Sequence, residues 1–144
     1  MKRKLHFANS LTASEWILFS RAWLLLLWVE LGLRKFSYAR VSQWFTPKQP
    51  RQSSRESEDP TRQIKRIWQL VDMASRNHIL TITCLRRSLV AQRLLNQQGI
   101  PVELRFGVKK DSGRIQAHAW LEYQGQVIGD PEQLSQAYEP LARI

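Results

Sequence analysis

One cysteine, three histidines and only twelve carboxylate side chains serve a chain of 144 residues. A lone cysteine excludes an internal disulfide, which fits a reducing cytoplasm and leaves a free thiol for chemistry. So few and so scattered Cys and His residues offer no ligand spacing for a metal. The six glycines form no phosphate-cradling loop. Long apolar runs are missing too. Arg21 and Glu30 bracket only eight uninterrupted apolar residues, against the about 20 that a membrane-spanning helix needs. Lys2-Arg3-Lys4 resembles the start of a signal peptide. However, Glu30, Arg34 and Lys35 follow the apolar run where a small-residue cleavage site belongs.

Basic charge is what the chain has in excess. The formal balance is +10, and residues 1–50 carry eight basic against two acidic side chains. Such a segment suits an acidic peptide, an anionic membrane surface or nucleic acid, and equally a plain solvated helix face. The length predicts one domain, or one domain with a helical appendage, able to bury about two-thirds of its unfolded surface without staples.

The hydrophobic pattern divides the chain. Residues 11–45 read as helical, broken near Gly32 or Ser37, with Ser10, Thr12 and Ser14 as candidate caps. This strongly apolar helix is expected to pack on the domain, on a partner or on a bilayer surface. Residues 47–60 are polar and read as a linker. A helix is predicted from about Thr61 to Asn77, with Ile64, Ile67, Trp68 and Val71 as its apolar stripe. Another opens at Cys84, capped by Thr83, and stops at Gly99-Ile100-Pro101. The period then changes to two. Val102, Leu104, Phe106 and Val108 alternate with polar residues, Asp111-Ser112-Gly113 turns, and a second strand carries His118. Gly125 turns again, and a third strand ends at Asp130. A helix followed by three antiparallel strands is an α+β layout.

Cys84, His118 and Asp130 occur in the chain order of one class of thiol hydrolase. The first turn of a helix presents unpaired N–H groups and positive dipole density, which favour an anion and can hold an oxyanion. Arg86 and Arg87 add positive charge if they point toward the thiol. A small cysteine buried on an apolar helix face is the plain alternative. His118 shares a strand face with Gln116 and Trp120, which suggests a site wall, although a surface histidine fits as well. His6 and His78 are rival bases, and His78 lies in the loop before Cys84. If residues 123 and 127 pair across a three-residue loop, His118 and Asp130 become diagonal neighbours on one sheet face. A two-residue loop without a bulge puts them on opposite faces and defeats the triad, so the catalytic reading requires an odd loop or a bulge around Gly125. Asp-Pro is also an ordinary strand terminator.

Taken together, Cys84-Leu85-Arg86-Arg87-Ser88-Leu89, Gly99-Ile100-Pro101, Gly107-Val108, Ala117-His118-Ala119-Trp120-Leu121-Glu122, Gly125 and Asp130 resemble one family. It is the transglutaminase-like cysteine peptidase of lasso-peptide biosynthesis, the B protein or its stand-alone C-terminal half. The resemblance covers about residues 61–140. It implies a papain-like or transglutaminase-like core, with the cysteine at a helix N-terminus packed on a small antiparallel sheet and a helical segment in front. Residues 1–46 are then the basic, apolar helical segment, 47–60 the linker and 61–144 the peptidase core. The resemblance further implies leader removal from a ribosomally made precursor peptide. Cys84 would be nucleophile, His118 base and acid, and Asp130 the orienting carboxylate. A small companion protein would capture the leader, and an ATP-using cyclase would close the ring on the freed N-terminus. No separate leader-binding domain is evident before residue 60, which suits this split arrangement. The reading needs no cofactor.

Three other readings compete. Transglutaminase-like acyl transfer or deamidation would use the same triad. A degenerate module would act as a scaffold, although all three expected residues are present. Nucleic-acid binding would use the positive charge and six tryptophans, but no recognition motif appears.

Overall fold

The computed structural model describes residues 11–45, 59–129 and 136–141. Among the described residues there are four helices: α1 (Ala13–Lys35), α2 (Tyr38–Phe45), α3 (Pro60–Arg76) and α4 (Cys84–Gln97). They are joined by strands β1 (Glu103–Asp111), β2 (Arg114–Tyr123), β3 (Gln126–Ile128) and β4 (Glu139–Pro140). The sheet is antiparallel, in the order β3-β2-β1-β4. The architecture is α+β, as expected. The fourth strand was not, because two residues that meet β1 only through tertiary contact leave no periodic signal.

Local chemistry explains the helix ends. Glu15 accepts the Thr12 N–H at 2.8 Å, closing the start of α1 from within the first turn. The helical segment breaks at Phe36 and Ser37. Asp59 accepts the Thr61 N–H at 3.1 Å, and Pro60 occupies the first turn of α3, where its missing donor costs nothing. Helix α4 ends where Gly99 takes φ +78° and Ile100 N–H returns to the Leu95 carbonyl at 3.0 Å.

One core joins all the helices to the sheet. Ala22, Leu26 and Val29 of α1, Val41 and Phe45 of α2, Ile64, Ile67, Trp68 and Val71 of α3, and Leu89, Leu94 and Leu95 of α4 pack together. Leu121 and Ile128 close the cluster from the sheet. Tyr38 meets Phe106 edge-on at 5.8 Å, and burial pushes its phenol above the ordinary value.

Both hairpins turn on two residues with positive φ, Ser112-Gly113 and Gln124-Gly125. The second is a correction. Tyr123 pairs with Gln126, so the loop holds two residues, and the ladder runs without a bulge to Leu121 and Ile128. The odd loop or bulge around Gly125 that the triad requires on the strand face is therefore absent. The ladder stops at Ile128, and Gly129 leaves extended geometry at φ +78°. Strand parity does not carry to residue 130, and Asp130 itself lies outside the described residues.

Gly129 has no substitute. A Cβ there would stand 1.9 Å from the indole of Trp68, on a backbone that side chains already resist. We expect Gly129→Ala to cost roughly 2–4 kcal/mol, from backbone strain and overpacking together. Urea unfolding monitored by circular dichroism measures it, and an unchanged midpoint contradicts the Trp68–Gly129 contact.

Candidate active site

Cys84 occupies the first position of α4 and is half-buried. The line that runs down the helix from it, through Ser88, Ala91 and Leu95, is buried. Thr83 stands at the cap position in extended geometry but makes no side-chain cap bond. Its hydroxyl instead accepts from Arg86 at 2.8 Å. The expectation of a threonine cap is therefore corrected: the position is right, while the oxygen is taken by the arginine.

The arginines beside the thiol are spoken for. Arg86 pairs with the buried Glu30 of α1. Arg87 pairs with Asp72 of α3 at 2.7 Å and lies over the Trp68 ring, 5.0 Å from its centroid. Each is held by a carboxylate of a neighbouring helix, Glu30 and Asp72, which also take Arg34 and Arg76. Arg86 and Arg87 anchor the start of α4 between α1 and α3.

His118 sits in β2 opposite Gly107 of β1. Its imidazole stacks on Trp120, with centroids 5.8 Å apart and planes 22° apart. Tyr138 lies against it at 5.2 Å. Trp120 is only 3% exposed, and its Nε1 donates to Glu122 at 3.0 Å. Glu122 in turn takes Arg105 at 3.2 Å, so the carboxylate that receives the indole N–H is itself held. The strand face read as a site wall is thus a packed aromatic surface. Tyr138 was not singled out from the sequence. It stands just before β4, and only the Glu139–Val108 and Pro140–Gly107 pairings carry it to the sheet.

Gly107 makes this approach sterically feasible. An added Cβ would lie 2.7 Å from the Tyr138 Cβ and 2.8 Å from the Trp120 ring. The glycine opposite the histidine lets both aromatic rings close over β1.

Helix and strand are joined beside the two candidate residues. The Ser88 hydroxyl, one turn into α4 from Cys84, donates to the carbonyl of Ala119, the neighbour of His118, over a long 3.4 Å. Farther along, Gln92 and Asn96 bond Val102 at the approach to β1. These contacts tie the α4 face that begins at Cys84 to the sheet that carries His118.

A comparison of the chain with protein families finds a match to the Transglutaminase-like superfamily over residues 23–143. The chain belongs to the transglutaminase-like superfamily. The matched region of this transglutaminase-like domain starts inside α1 and takes in every later element described. The fold is of the cysteine peptidase and acyltransferase type. Neither the curated proteins nor the solved structures contain a match.

The rival histidines fare differently. His78 lies tilted by 35° against Trp23 of α1 at 4.5 Å, and its Nδ1 accepts the Leu80 N–H at 3.1 Å. It is used as packing between α1 and the loop before α4. His6 lies outside the described residues. Among the described residues, no three His, Cys, Asp or Glu side chains cluster as metal ligands.

We expect Gly107→Ala to cost about 1–3 kcal/mol by overpacking and to shift the His118 imidazole resonances, because the rings around it must move. Proton NMR against a His118→Gln reference identifies those resonances. Unmoved signals with an unchanged melting midpoint contradict the packing described.

Proposed function

We propose that this transglutaminase-like domain is a cysteine peptidase that removes the leader from a ribosomally made precursor of the lasso class. One observation carries the reading: Cys84 opens a helix that makes no side-chain cap bond through Thr83, and that helix is bonded through Ser88 to the strand residue beside His118. A thiol at such a mouth has helix N–H groups and dipole on its side. The resemblance of the motifs around Cys84, His118 and Asp130 to the lasso B family supplies the substrate class.

In this mechanism His118 takes the proton from Sγ, and the sulfur attacks the scissile carbonyl at the leader–core junction. First-turn N–H groups of α4 hold the oxyanion of the tetrahedral intermediate. The C–N bond breaks, His118 gives its proton to the leaving amine, and the core peptide departs with a free N-terminus. Water then adds to the thioester, His118 accepts its proton, and the leader leaves as a carboxylic acid with the thiol restored. Trp120 and Tyr138 restrict rotation of the imidazole through these steps. Asp130 is the orienting carboxylate. Its support is sequence position, one residue beyond the Gly129 that Trp68 pins. The groove between α3 and β3, about 420 Å³ and lined by Lys65, Trp68, Asp72, Tyr123 and Val127, ends at Gly129 and is lined by neither Cys84 nor His118, so no peptide path is assigned to it. A small leader-binding companion delivers the substrate, and an ATP-using cyclase consumes the freed core.

Mass spectrometry of a candidate precursor, with this protein and its leader-binding companion, tests the proposal. Wild type is expected to yield two fragments that together exceed the precursor by one water. Cys84→Ala is expected to lower the rate by roughly 10⁴-fold or more while leaving companion binding intact. Asp130→Asn is expected to slow it by roughly 10²–10⁴-fold, because an orienting group is lost rather than the nucleophile. Cleavage at the wild-type rate by Cys84→Ala rejects the assignment. An amine adduct or deamidated product without chain scission identifies acyl transfer instead. If an electrophile labels Cys84 no faster than free cysteine, the scaffold reading is favoured.

A further inference from the structure

The outer face of α1 is apolar and uncovered. Ile17, Leu24, Trp28 and Leu31 recur at helical spacing along it, and Ile17 and Trp28 are each 64% exposed. Trp16 lies beside this stripe, and Phe36 and Trp44 continue the exposed surface around the corner into α2. Between Trp28 and Trp44 the surface dips into a groove floored by Leu24, Leu25 and Phe45, with Arg21 and Arg93 at its rim. A patch of this extent on a folded domain marks an interaction surface.

Among the described residues of the helices that form it, the outward charge has one sign. Helices α1, α2 and α4 hold only two acidic side chains, Glu15 and Glu30. Both are buried and paired inward, Glu15 with Arg66, and Glu30 with Arg34 and Arg86. Arg21, Lys35 and Arg40 are exposed on α1 and α2, as is Arg34, which pairs with Glu30. In sequence, Lys2, Arg3 and Lys4 come shortly before.

We propose that the outer face of α1 and the adjoining α2 corner dock the protein on an anionic lipid surface, with α1 lying in the interfacial plane. Tryptophans beside an apolar stripe, ringed by arginine and lysine and free of outward carboxylates, match the boundary between acyl chains and negative headgroups. By length and composition α1 also qualifies as a membrane-crossing helix. Its other face argues for lying flat. Ala22, Leu26 and Val29 are fully buried in the core, and spanning would pull them and the two ion-paired glutamates out of the domain. The orientation has a consequence for the site. Arg21 bonds Gln97 near the end of α4 at 2.9 Å, while Glu30 pairs with Arg86 near its start. The two helices therefore run antiparallel, and docking through α1 sets α4 along the surface with Cys84 at one end rather than facing the lipid.

The full-length chain is sedimented with vesicles of phosphatidylcholine alone, and with vesicles containing about one-third phosphatidylglycerol. Affinity for the anionic vesicles is expected to be about tenfold or more above that for the neutral ones, and to fall at high salt. Two variants separate the contributions, and both alter only exposed side chains. Leu24→Ser with Trp28→Ser is expected to weaken binding to both vesicles. Lys35→Glu with Arg40→Glu is expected to abolish the anionic preference. Circular dichroism checks that each remains folded, and either folded variant suffices to decide. Absent anionic preference, binding that a folded variant leaves unchanged, or self-association through these residues without vesicle binding overturns the proposal; the last two results would point to a different surface or to a protein partner. The docking surface is independent of the thiol chemistry, so failed vesicle binding with intact peptide cleavage rejects this inference alone.

Discussion

Helix α4 is held on three sides, and the candidate site exists only because it is. Leu89, Leu94 and Leu95 are buried against α1, α3 and the sheet, each worth about 2–3 kcal/mol of transfer free energy. Polar contacts then fix the helix in direction. Arg86 and Arg87 clamp its start to α1 and α3, and Ser88, Gln92 and Asn96 bond the sheet and its approach along one side. Buried ion pairs contribute little net stability because desolvation offsets attraction, but they penalise any other register. A sulfur at the first position of such a helix has little freedom to wander.

The histidine is held by a different device. Its strand neighbour across the sheet is a glycine, and the room that glycine leaves is filled by Tyr138 and Trp120. Trp120 is in turn tied to Glu122 and Arg105. The imidazole is therefore positioned by packing against rings whose own places are set by hydrogen bonds and by β4. Pre-organisation of this kind is what the proposed role of His118 requires.

Helix α1 serves two environments at once. Its inner face completes the core and supplies the carboxylate that holds Arg86; its outer face stays apolar. This explains why its composition sits between a core helix and a membrane helix. A strongly hydrophobic segment with two isolated glutamates looks inconsistent until each glutamate is seen to have a buried arginine-facing role.

Much of this was written in the chain. The stripe Ile64, Ile67, Trp68 and Val71, the helix beginning at Cys84, its stop at Gly99 and the two-residue period after Pro101 each depend on neighbours a few residues away, so local pattern determined them. The same local pattern placed Cys84 at a helix mouth and His118 on a wall beside Trp120. It failed for the second hairpin, where Gln124-Gly125 closes a two-residue turn in place of three, because flanking alternation fits either register. It also missed Tyr138, the pairing of Arg86 and Arg87 and the burial of Glu30. Those are meetings of residues far apart in sequence, and no period reports them. Sequence alone named the candidate residues and laid out every described helix and strand except β4. Tertiary packing decided what surrounds them, because the partners that fix a side chain come from elements that only the closed core brings together.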